Sequence, residues 1–534
     1  MACLVKYGSN KFLFGVLMSQ TYPVTNFYQI ILSNLSKKPN KTVIFDGDRK
    51  ISNAEFKQLV DTVASYLTET GVKPGDKVAL IMANCHMFIV NLFAISKIGA
   101  VAVPVNNFLK HDEYAYILND SQAKLLFASA KFADEVKGLT IATQVEKVIW
   151  VDGAPLENEI NIDYEKIISH PRNTVEAVNC GLDDMAIVIY TSGTTGKPKG
   201  AMLSYRNFLS IFYGAIEHYR LKEGQAKMIC YLPMFHAFTL AVTVLLPIAT
   251  NSGVIVVRSI ATKKDFANLL KLVLVHRCQY FAGVPDIFSA MARAKLPWYF
   301  HWFHNVKGWV SGAAPLSEDV IKRFSAAFKR GKLVQGYGLS ECASGVSLNQ
   351  PWANRFGSVG KPLPGFEVEA FSEDMRKEVR GEVGELCIKG DCVMMGYYNR
   401  PQDTAEVIQD GWFKTGDIGY VDKDGFVFII DRKKDLIIHK GMNIYPREIE
   451  EFLYTHEKVQ ACAVIGIKDI EENETPVAYI EPKEGIEITE KEIKDFLKPL
   501  LAPFKQPRKI HFMDKLPRNA TGKILKRELR ELSH

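Results

Sequence analysis

Short apolar runs alternate with longer amphipathic segments between about residues 45 and 400, and this alternation constrains the fold more than any other feature. Most of the runs are apolar on both sides of a strand, which is typical of sheets covered on both faces. One intervening segment opens with a capping box at Ser52-Asn-Ala-Glu55 and keeps a helical pattern toward Thr70. The alternation predicts α/β architecture. The predicted strands are 77–82, 100–105, 186–190, 254–257, 307–310 and 333–337.

The pattern changes after about residue 415. Two apolar runs flank Asp422-Lys-Asp-Gly425, which predicts a hairpin, and a charged stretch follows. Beyond it, Pro446 is placed to begin a helix, and further strands and helices indicate a small α+β domain. A chain of 534 residues exceeds one ordinary core. The predicted parts are an N-terminal extension at 1–24, with Met18 as an alternative start, a large domain at 25–430, a hinge at 431–435 and a small domain at 436–534.

Composition and charge exclude several classes of protein. The net charge of +6, from 66 basic and 60 acidic residues, suits anionic small molecules and does not indicate a nucleic-acid partner. Nine scattered cysteines without a CxxC pair indicate reduced thiols and a cytoplasmic location, and they argue against structural zinc. The apolar segment 237–248 is too short to cross a bilayer and predicts a buried helix. Peripheral membrane contact and homodimer formation stay open.

Residues 191–200 read TSGTTGKPKG and lie between a predicted strand and a helix that begins near Ser204. The three glycines let the backbone turn tightly and direct N–H groups at one point, while hydroxyls and lysines add donors and positive charge. Polyphosphate oxygens only accept hydrogen bonds and crowd negative charge, so this mixture suits them. The segment is not a Walker loop, because its glycine spacing is too short and a proline follows Lys197. We interpret it as a phosphate-binding loop rather than a flexible surface loop.

TSGTTGKPKG resembles the phosphate-loop motif of the adenylate-forming superfamily, which contains acyl-CoA synthetases, adenylation domains of peptide synthetases, and luciferases. Further segments match in the same order: GYGLSE at 336–341, Thr415-Gly-Asp417 followed by Arg432, and PRNATGK at 517–523. The resemblance covers the chain from about residue 25 to 530. It implies that the large domain binds ATP and an acid, and that the small domain is a mobile lid. It also implies the reaction, in which a carboxylate attacks the α-phosphorus of ATP and a thiol then takes the acyl group from the acyl-adenylate.

The resemblance implies roles in adenylation for individual residues. Glu341 would bind Mg²⁺, which prefers a carboxylate together with phosphate oxygens and water. Asp417 would accept both ribose hydroxyls, Arg432 would bind ribose or phosphate, and Tyr337 would stack on adenine. Lys523 would bridge the carboxylate and the α-phosphate, a task that suits a compact ammonium. The implied ATP-binding set is Thr191, Ser192, Gly193, Thr194, Thr195, Gly196, Lys199, Gly312, Ala313, Ala314, Tyr337, Gly338, Ser340, Asp417, Arg432 and Lys523.

Other matches concern the thiol and the acid. Lys434 matches the family's hinge position, about which the small domain swings between the two half-reactions. Lys440 and Gly441 would line the path of coenzyme A, where a bare glycine leaves room. His236, in PMFHAF, resembles the family's acyl-pocket histidine, although a lone histidine in an apolar stretch is more often a packed core residue. The implied acyl pocket is His236, Phe238, Trp309 and Gly338, and the implied catalytic set is Thr191, His236, Glu341 and Lys523.

The leading hypothesis is a ligase that joins a medium- or long-chain fatty acid to coenzyme A, with ATP and Mg²⁺. The segment PMFHAF lacks the aspartate that would bind an α-amine, which argues against an amino acid. An aromatic acid–CoA ligase, and a ligase that loads acyl carrier protein or stops at the acyl-adenylate, are the alternatives. A non-catalytic binder is disfavoured because Glu341 and Lys523 are both present. A phosphotransferase would release ADP in place of AMP.

Overall fold

The computed structural model describes residues 22–532 except 156, 157, 159, 171, 192–196, 295, 440, 441, 469–473 and 519–521. The predicted α/β class is confirmed, with a large N-terminal domain of sheets and helices and a smaller C-terminal domain. Five residues of the predicted phosphate loop, 192–196, and both predicted residues of the coenzyme A path, Lys440 and Gly441, lie outside the described residues.

One large sheet carries the strand that leads into the phosphate loop. In the described chain it has eight strands, which lie side by side in the order Gly396–Tyr397, Lys199–Ser204, Met185–Thr191, Val101–Pro104, Lys77–Ile81, Ala123–Ala128, Lys147–Trp150 and Asn161–Asp163. The strands from Met185–Thr191 to Asn161–Asp163 pair in parallel, as expected where helices connect successive strands. Lys199–Ser204 instead pairs antiparallel with Met185–Thr191, so the phosphate loop joins the two strands of a hairpin.

The second large sheet carries the motif GYGLSE. Its strands, within the described residues, lie in the order Lys361–Pro362, Ser344–Leu348, Lys332–Leu339, Gly308–Ser311, Tyr280–Gly283, Met228–Cys230, Val254–Val256, Thr42–Asp46 and Arg49–Ser52. The parallel strands from Lys332–Leu339 to Thr42–Asp46 bring their carboxyl ends to one edge, where polar side chains can converge on a ligand.

Helices between the two large sheets form the main core. Each buries side chains in one apolar cluster that also contains strand residues of both sheets, with Phe27, Phe93, Phe208 and Phe212 among its aromatic members. Ser52 caps the second helix by accepting from the Glu55 N–H, as the capping box predicts. The helices of the large domain with eight or more residues are Phe27–Lys37, Asn53–Glu69, His86–Lys97, His111–Ser121, Tyr205–His218, Lys263–Val275, Pro285–Arg293 and Glu318–Ala327.

Shorter helices complete the large domain. The apolar segment 237–248 forms the π-helix Thr239–Leu245 followed by the helix Leu246–Ala249, and both are largely buried, as predicted. No helix among the described residues combines the length and the apolar character needed to cross a bilayer. The remaining short helices are Ala130–Phe132, Ala133–Val136, Leu139–Ala142, Tyr164–Ser169, Trp298–Phe303, Ser340–Cys342 and Pro401–Val407.

A third sheet links the large domain to the C-terminal domain. Trp412–Val421 and Val427–Arg432 form the hairpin predicted around Asp422, and the turn Lys433–Asp435 follows directly. The other strands of this sheet are Phe366–Phe371, Gly384–Gly390 and Ile408–Gln409.

The C-terminal domain has its own core. Apolar side chains of its helices pack on a three-stranded sheet, with Ile449, Val464 and Ile493 fully buried. The sheet is Val459–Lys468, Glu474–Pro482 and Lys509–Phe512, a two-stranded hairpin is Ile437–His439 and Met442–Ile444, and the helices are Pro446–Thr455, Glu490–Leu497, Pro503–Lys505 and Lys526–Glu531.

Most of the predicted N-terminal extension, 1–24, lies outside the described residues, which begin at Tyr22. The Tyr22 hydroxyl donates to Asp391 Oδ2 at 2.9 Å, and Val24 packs in the main core. Tyr22 and Val24 therefore pack against the large domain.

Candidate active site

A cavity of about 750 Å³ opens where the large sheets, the third sheet and the C-terminal domain meet. Its two ends differ chemically. One end contains all of its ionisable Lys, Arg, Asp and Glu side chains, with six cations against four carboxylates, and the other end is lined by aliphatic and aromatic side chains. The charged lining residues are Lys199, Glu341, Glu385, Asp403, Glu406, Lys414, Arg432, Lys433, Lys434 and Lys523. A net cationic end suits a polyphosphate, and an apolar end suits an organic acid.

Glu341 lies at the centre of the charged end. It is the middle residue of the short helix Ser340–Cys342, and its Oε1 accepts hydrogen bonds from the hydroxyls of Thr191 and Tyr397, both at 3.2 Å. Burial and the negative charge of Glu341 raise the pKa of Tyr397, so this hydroxyl stays a donor. Thr191 is the last residue of the strand before the phosphate loop. The two motifs predicted to bind phosphate and Mg²⁺ therefore meet at one carboxylate.

Lys199 lies at the other end of the phosphate loop, as the first residue of the returning strand. Its Nζ lies 2.6 Å from Asp403 Oδ1 and 5.4 Å from the ring centroid of Tyr397. Asp403 belongs to the helix Pro401–Val407. The lysine is thus held at the wall of the cavity by a partner far away in the chain.

Asp417 lies behind the cavity wall, buried and tied to two residues that do line it. Its Oδ2 accepts from the Tyr337 hydroxyl at 2.6 Å, and its Oδ1 lies 2.9 Å from Arg432 Nε. Burial opposes the charge of Arg432, but Asp417 and Tyr337 outweigh burial and raise the pKa of the guanidinium. The ribose-binding role that the resemblance implies for Asp417 stays a prediction. In the structure, both oxygens of its carboxylate contact protein donors, on Tyr337 and Arg432.

Lys523 brings the C-terminal domain into the cavity. Burial, reinforced by the positive charges of Arg432 and Lys434, lowers the pKa of its ammonium to about 8 despite the opposing effect of Asp417. Lys434 lines the same end from the turn Lys433–Asp435, and burial lowers its pKa as well. The cations Arg432 and Lys434, from one segment, and Lys523, from a segment about 90 residues later, therefore share one buried space.

His236 lies where the charged end passes into the apolar end. Its ring lies 4.4 Å from that of Phe235, and burial lowers its pKa to about 4, so it is neutral near pH 7. Four buried polar atoms on the cavity lining have no hydrogen-bond partner among the described residues: His236 Nε2, Thr239 Oγ1, Ser311 Oγ and Ser344 Oγ. Unpaired buried polar atoms are costly in a native protein, which makes them candidates for bonding to a ligand.

Two glycines shape the cavity at this junction. A Cβ on Gly338 would lie 1.6 Å from the Ser344 carbonyl oxygen, so only glycine fits at this position. A Cβ on Gly312 would lie 3.3 Å from the Phe238 ring. It would narrow the cavity beside this ring but would not clash with the backbone. Ala313, next in the chain, has a φ of +64°, a left-handed conformation that is strained for a residue with a Cβ.

Besides Asp417, two predicted site residues do not line the cavity. Trp309 is fully buried on the opposite face of its strand, against Phe281, Phe324 and Phe328, and its Nε1 donates to the Arg330 carbonyl. Trp309, which the sequence analysis assigns to the acyl pocket, therefore faces away from this cavity, because successive side chains of a strand point to opposite faces and Val310 is the one that reaches the cavity. Ala314 also lies outside the lining, one residue beyond Ala313.

The remaining described residues of the predicted set do reach the cavity. They are Thr191, Lys199, His236, Phe238, Gly312, Ala313, Tyr337, Gly338, Ser340, Glu341, Arg432, Lys434 and Lys523.

Three further residues that line the cavity were not predicted from the sequence: Tyr397, Asp403 and Glu385. Tyr397 bonds to Glu341, and Asp403 pairs with Lys199. Glu385 Oε1 accepts from the Gly416 N–H at 3.0 Å and its Oε2 lies 3.1 Å from Lys433 Nζ. None of the three lies in a recognisable motif, so only the fold identifies them.

A two-domain α/β chain whose cavity has a cationic end and an apolar end fits the adenylate-forming class of enzyme. Residues 32–398 match the AMP-binding enzyme family, and residues 448–523 match the AMP-binding enzyme C-terminal domain. The chain belongs to the AMP-binding enzyme family, and it is an AMP-forming acid–thiol ligase that makes acyl-CoA through an acyl-adenylate.

Several relatives match over nearly their whole length. The long-chain-fatty-acid–CoA ligase of Bacillus subtilis (strain 168) is 32% identical over 543 residues, which cover 95% of each chain. A feruloyl-CoA synthase of an Amycolatopsis species is 34% identical over 502 residues, covering 92% of this chain and 96% of the relative. The crystal structure of ATP-bound MatB from Rhodopseudomonas palustris superposes with a TM-score of 0.87 at 28% identity, over 95% of this chain and 98% of that one.

Proposed function

We propose that this enzyme is a fatty acid–CoA ligase for acids of medium or long chain. The observation that carries the proposal is the length of the apolar end of the cavity. Ile211 and Ala215 on the helix Tyr205–His218, and Tyr219 at its C-cap, line it at four-residue intervals. At 1.5 Å per residue these positions span roughly 12 Å of one helix face, which suits an extended alkyl chain.

The other walls of this end are also apolar. The π-helix contributes Ala241 and Val242, and Leu363 adds a further aliphatic side chain. Small side chains at Ala215 and Ala241 leave width for an alkyl chain. No charged side chain among the described residues lies at this end, so a second carboxylate or an amine on the substrate would be desolvated without a partner.

The charged end would hold ATP. Lys199 and Arg432 neutralise phosphate charge, and the hydroxyls of Thr191 and Ser340 add donors. We assign the metal-binding role to Glu341. The described residues contain no group of three or more His, Cys, Asp or Glu side chains that could hold a metal ion by itself. One carboxylate fits Mg²⁺, which keeps waters and binds through substrate phosphates, and the ion would neutralise the phosphate charge.

In the first half-reaction both reactants are anions, and the site residues must hold them in line. A carboxylate oxygen attacks the α-phosphorus, and the bond to pyrophosphate breaks. Lys523 is placed to bridge the carboxylate and the α-phosphate as charge shifts between them, and its ammonium form supplies the donors. Neutral His236 would direct the acid carbonyl without adding a second charge.

In the second half-reaction the sulfur of coenzyme A attacks the carbonyl carbon, AMP leaves, and the thiol proton passes to solvent. This step needs Lys523 to withdraw. We assign residues 25–430 to the AMP- and acid-binding domain, 431–435 to the hinge with Lys434 at its centre, and 436–534 to the lid. Lys440 and Gly441 are assigned to the coenzyme A path. The location in the cytoplasm stays a prediction.

A second candidate is an aromatic acid–CoA ligase. The unpartnered atoms Thr239 Oγ1 and Ser311 Oγ favour it, because hydroxyl or methoxyl substituents of an aromatic acid could bond to them. The similarity to a feruloyl-CoA synthase supports the same candidate. The aliphatic length beyond these atoms is what makes the fatty acid the first choice.

A screen of acids tests the proposal. AMP release and thioester formation are measured with acetate, octanoate, dodecanoate, oleate, benzoate and ferulate, each with and without coenzyme A. We expect the highest kcat/KM for dodecanoate or oleate, and we expect the thioester to form only when coenzyme A is present. A higher kcat/KM for ferulate or benzoate would establish the aromatic candidate instead, and AMP release that coenzyme A does not change would contradict thioester formation.

A further inference from the structure

A short helix far from the motifs presents aromatic side chains to solvent. Trp298, Tyr299, Trp302 and Phe303 on the helix Trp298–Phe303 are 71%, 47%, 70% and 69% exposed. At 100° per residue these four positions occupy one face of the helix. Single exposed apolar residues are ordinary, but a contiguous group of large aromatic residues marks an interaction surface. We call these four residues the aromatic face.

The opposite side of the helix is firmly packed. Phe300 and His304 are each 2% exposed, and the His304 ring lies 5.6 Å from that of Trp309 and 6.4 Å from that of Phe328. The Arg330 guanidinium donates to the Trp302 carbonyl and so holds the end of the helix. The aromatic face is therefore displayed by a supported element rather than by a loose loop.

The surroundings of the aromatic face are basic. No acidic residue occurs in the sequence between Asp286 and Glu318. Lys307, Lys329, Arg330 and Lys332 are all exposed, and Lys332 lies beside Gly308 in the parallel strand pair next to the helix. The acidic residues on the adjacent helix Glu318–Ala327, Glu318 and Asp319, are engaged by Lys322 and Arg323 one turn away.

We propose that the aromatic face and its four surrounding cations bind the surface of a lipid bilayer that contains anionic headgroups. Tryptophan and tyrosine partition to the boundary between headgroups and hydrocarbon, because their rings are apolar while their N–H and O–H groups can bond to water or headgroups. Lysines and arginines around the inserted rings gain from the negative potential of an anionic surface.

The charge pattern favours this occupant over a second copy of the chain. A symmetric dimer through the aromatic face would bring Lys329, Arg330 and Lys332 of one copy near the same residues of the other. Like charges so placed repel, whereas an anionic bilayer attracts them. The surface goes beyond the proposed ligase reaction, and the binding of vesicles can be measured without any acid, ATP or coenzyme A.

Co-sedimentation of the full-length enzyme tests the proposal. One set of vesicles is phosphatidylcholine alone, and the other is phosphatidylcholine mixed with phosphatidylglycerol. The enzyme is expected to bind the mixed vesicles, with a blue shift of tryptophan emission, and to bind less at high salt because salt screens the cations. The Trp298→Ser/Trp302→Ser variant should bind with a partition coefficient lower by roughly tenfold or more.

Matched variants distinguish vesicle binding by the aromatic face from non-specific adsorption of the protein to vesicles. Trp352 is another exposed tryptophan, 53% exposed and remote in sequence, and Trp352→Ser should keep its vesicle binding. Trp298→Phe/Trp302→Phe should restore most of the binding that the serine variant loses. Adenylation of a water-soluble acid should be unchanged in both variants at positions 298 and 302, which shows that they remain folded.

Three outcomes would overturn the proposal. Equal vesicle binding by the wild type and Trp298→Ser/Trp302→Ser would exclude the aromatic face, and equal binding to neutral and mixed vesicles would exclude recognition of anionic headgroups. The third is a concentration-dependent dimer, seen by sedimentation equilibrium, that Trp298→Ser/Trp302→Ser abolishes while the wild type binds neither kind of vesicle. That result would assign the surface to self-association.

Discussion

The Tyr337 hydroxyl donates to Asp417 Oδ2 at 2.6 Å and joins two motifs that lie 80 residues apart in the chain. Burial and the neighbouring carboxylate raise the pKa of Tyr337, which keeps its proton on the phenol. Asp417 in turn holds Arg432 at the cavity wall. One buried carboxylate thereby sets the positions of an aromatic ring and a guanidinium that both line the cavity.

Tyr337→Phe removes this hydrogen bond and leaves the ring in place. We expect the Kd for AMP, measured by calorimetry, to rise roughly tenfold, the lower end of what one hydrogen bond to a charged group contributes. Tyr420→Phe is the control, because Tyr420 lies on the strand that contains Asp417, Trp412–Val421, and its ring stacks on that of Phe428 with centroids 4.7 Å apart. An unchanged Kd in Tyr337→Phe would mean that the hydrogen bond from Tyr337 does not contribute to the orientation of Asp417.

Lys523→Ala should separate the two half-reactions. Loss of one donor at the reacting centre is expected to slow ATP–pyrophosphate exchange by about two to three orders of magnitude. Transfer from supplied acyl-AMP to coenzyme A should survive, since Lys523 withdraws for that step. The exposed Lys515, in the same C-terminal segment, provides the control variant Lys515→Ala. Near-normal exchange in Lys523→Ala would refute the role that we assign to this lysine.

The pKa of Lys523, lowered to about 8 by burial and by Arg432 and Lys434, predicts the pH dependence of adenylation. The ammonium is the active form, so it is fully present well below pH 8 and is lost as the pH rises through that value. The kcat/KM for ATP in the exchange reaction should therefore fall on the alkaline side near pH 8, since this parameter reports the free enzyme. In Lys523→Arg the fall should move to higher pH, because arginine stays charged. The same alkaline fall in both enzymes would assign it to another group.

Gly312→Ala should change the preference for acid length. The new Cβ would lie 3.3 Å from the Phe238 ring and narrow the passage into the apolar end. We expect kcat/KM to fall more for oleate than for octanoate, measured by thioester formation. Gly345→Ala is the matched control, because Gly345 also lines the cavity and a Cβ there meets no atom within 4 Å. An equal loss of kcat/KM for all acids would indicate that Gly312→Ala acts on ATP binding and not on acid length.

Lys434→Pro tests the hinge. Proline fixes φ and restricts the residue before it, so the turn Lys433–Asp435 could no longer rotate freely. We expect adenylation to remain within about tenfold of normal while transfer to coenzyme A stalls. Lys434→Ala removes the side chain but keeps backbone freedom, and it should support transfer. Equal loss of both half-reactions in Lys434→Pro, with Lys434→Ala also inactive in transfer, would argue for a role of the side chain itself.

Local patterns predicted many of the elements closely. The capping box at Ser52 begins a helix, and the hairpin around Asp422 forms where the turn residues indicate. The strand Lys199–Ser204 was missed, because it is short, begins inside the loop motif and is stabilised by pairing with Met185–Thr191 and Gly396–Tyr397. A strand whose partners lie elsewhere in the chain has little pattern of its own.

The residues of the site also fall into two groups, those that a local motif marks and those that only the fold brings to the cavity. Motifs identified Thr191, Glu341, Arg432 and Lys523, each because a short segment with unusual composition contains it. Tyr397 and Asp403 stand in no motif, and they reach the site only because Gly396–Tyr397 pairs beside the phosphate hairpin. The direction of Trp309, away from the cavity, is not visible in the sequence, because a strand buried on both faces does not reveal which of its side chains face a cavity.

The sequence by itself determined the α/β class, the division into a large and a small domain, and the motifs that mark the family, since these depend on periodicity and on chemistry carried within short segments. Only the tertiary structure decided that Tyr337 holds Asp417, that Lys523 and Lys434 share a buried space, and that the acid end of the cavity is long and apolar. The physical reason is that pKa shifts, cavity shape and hydrogen-bond partners arise from burial and from contacts between residues far apart in the chain. Such contacts have no counterpart in any local stretch of sequence.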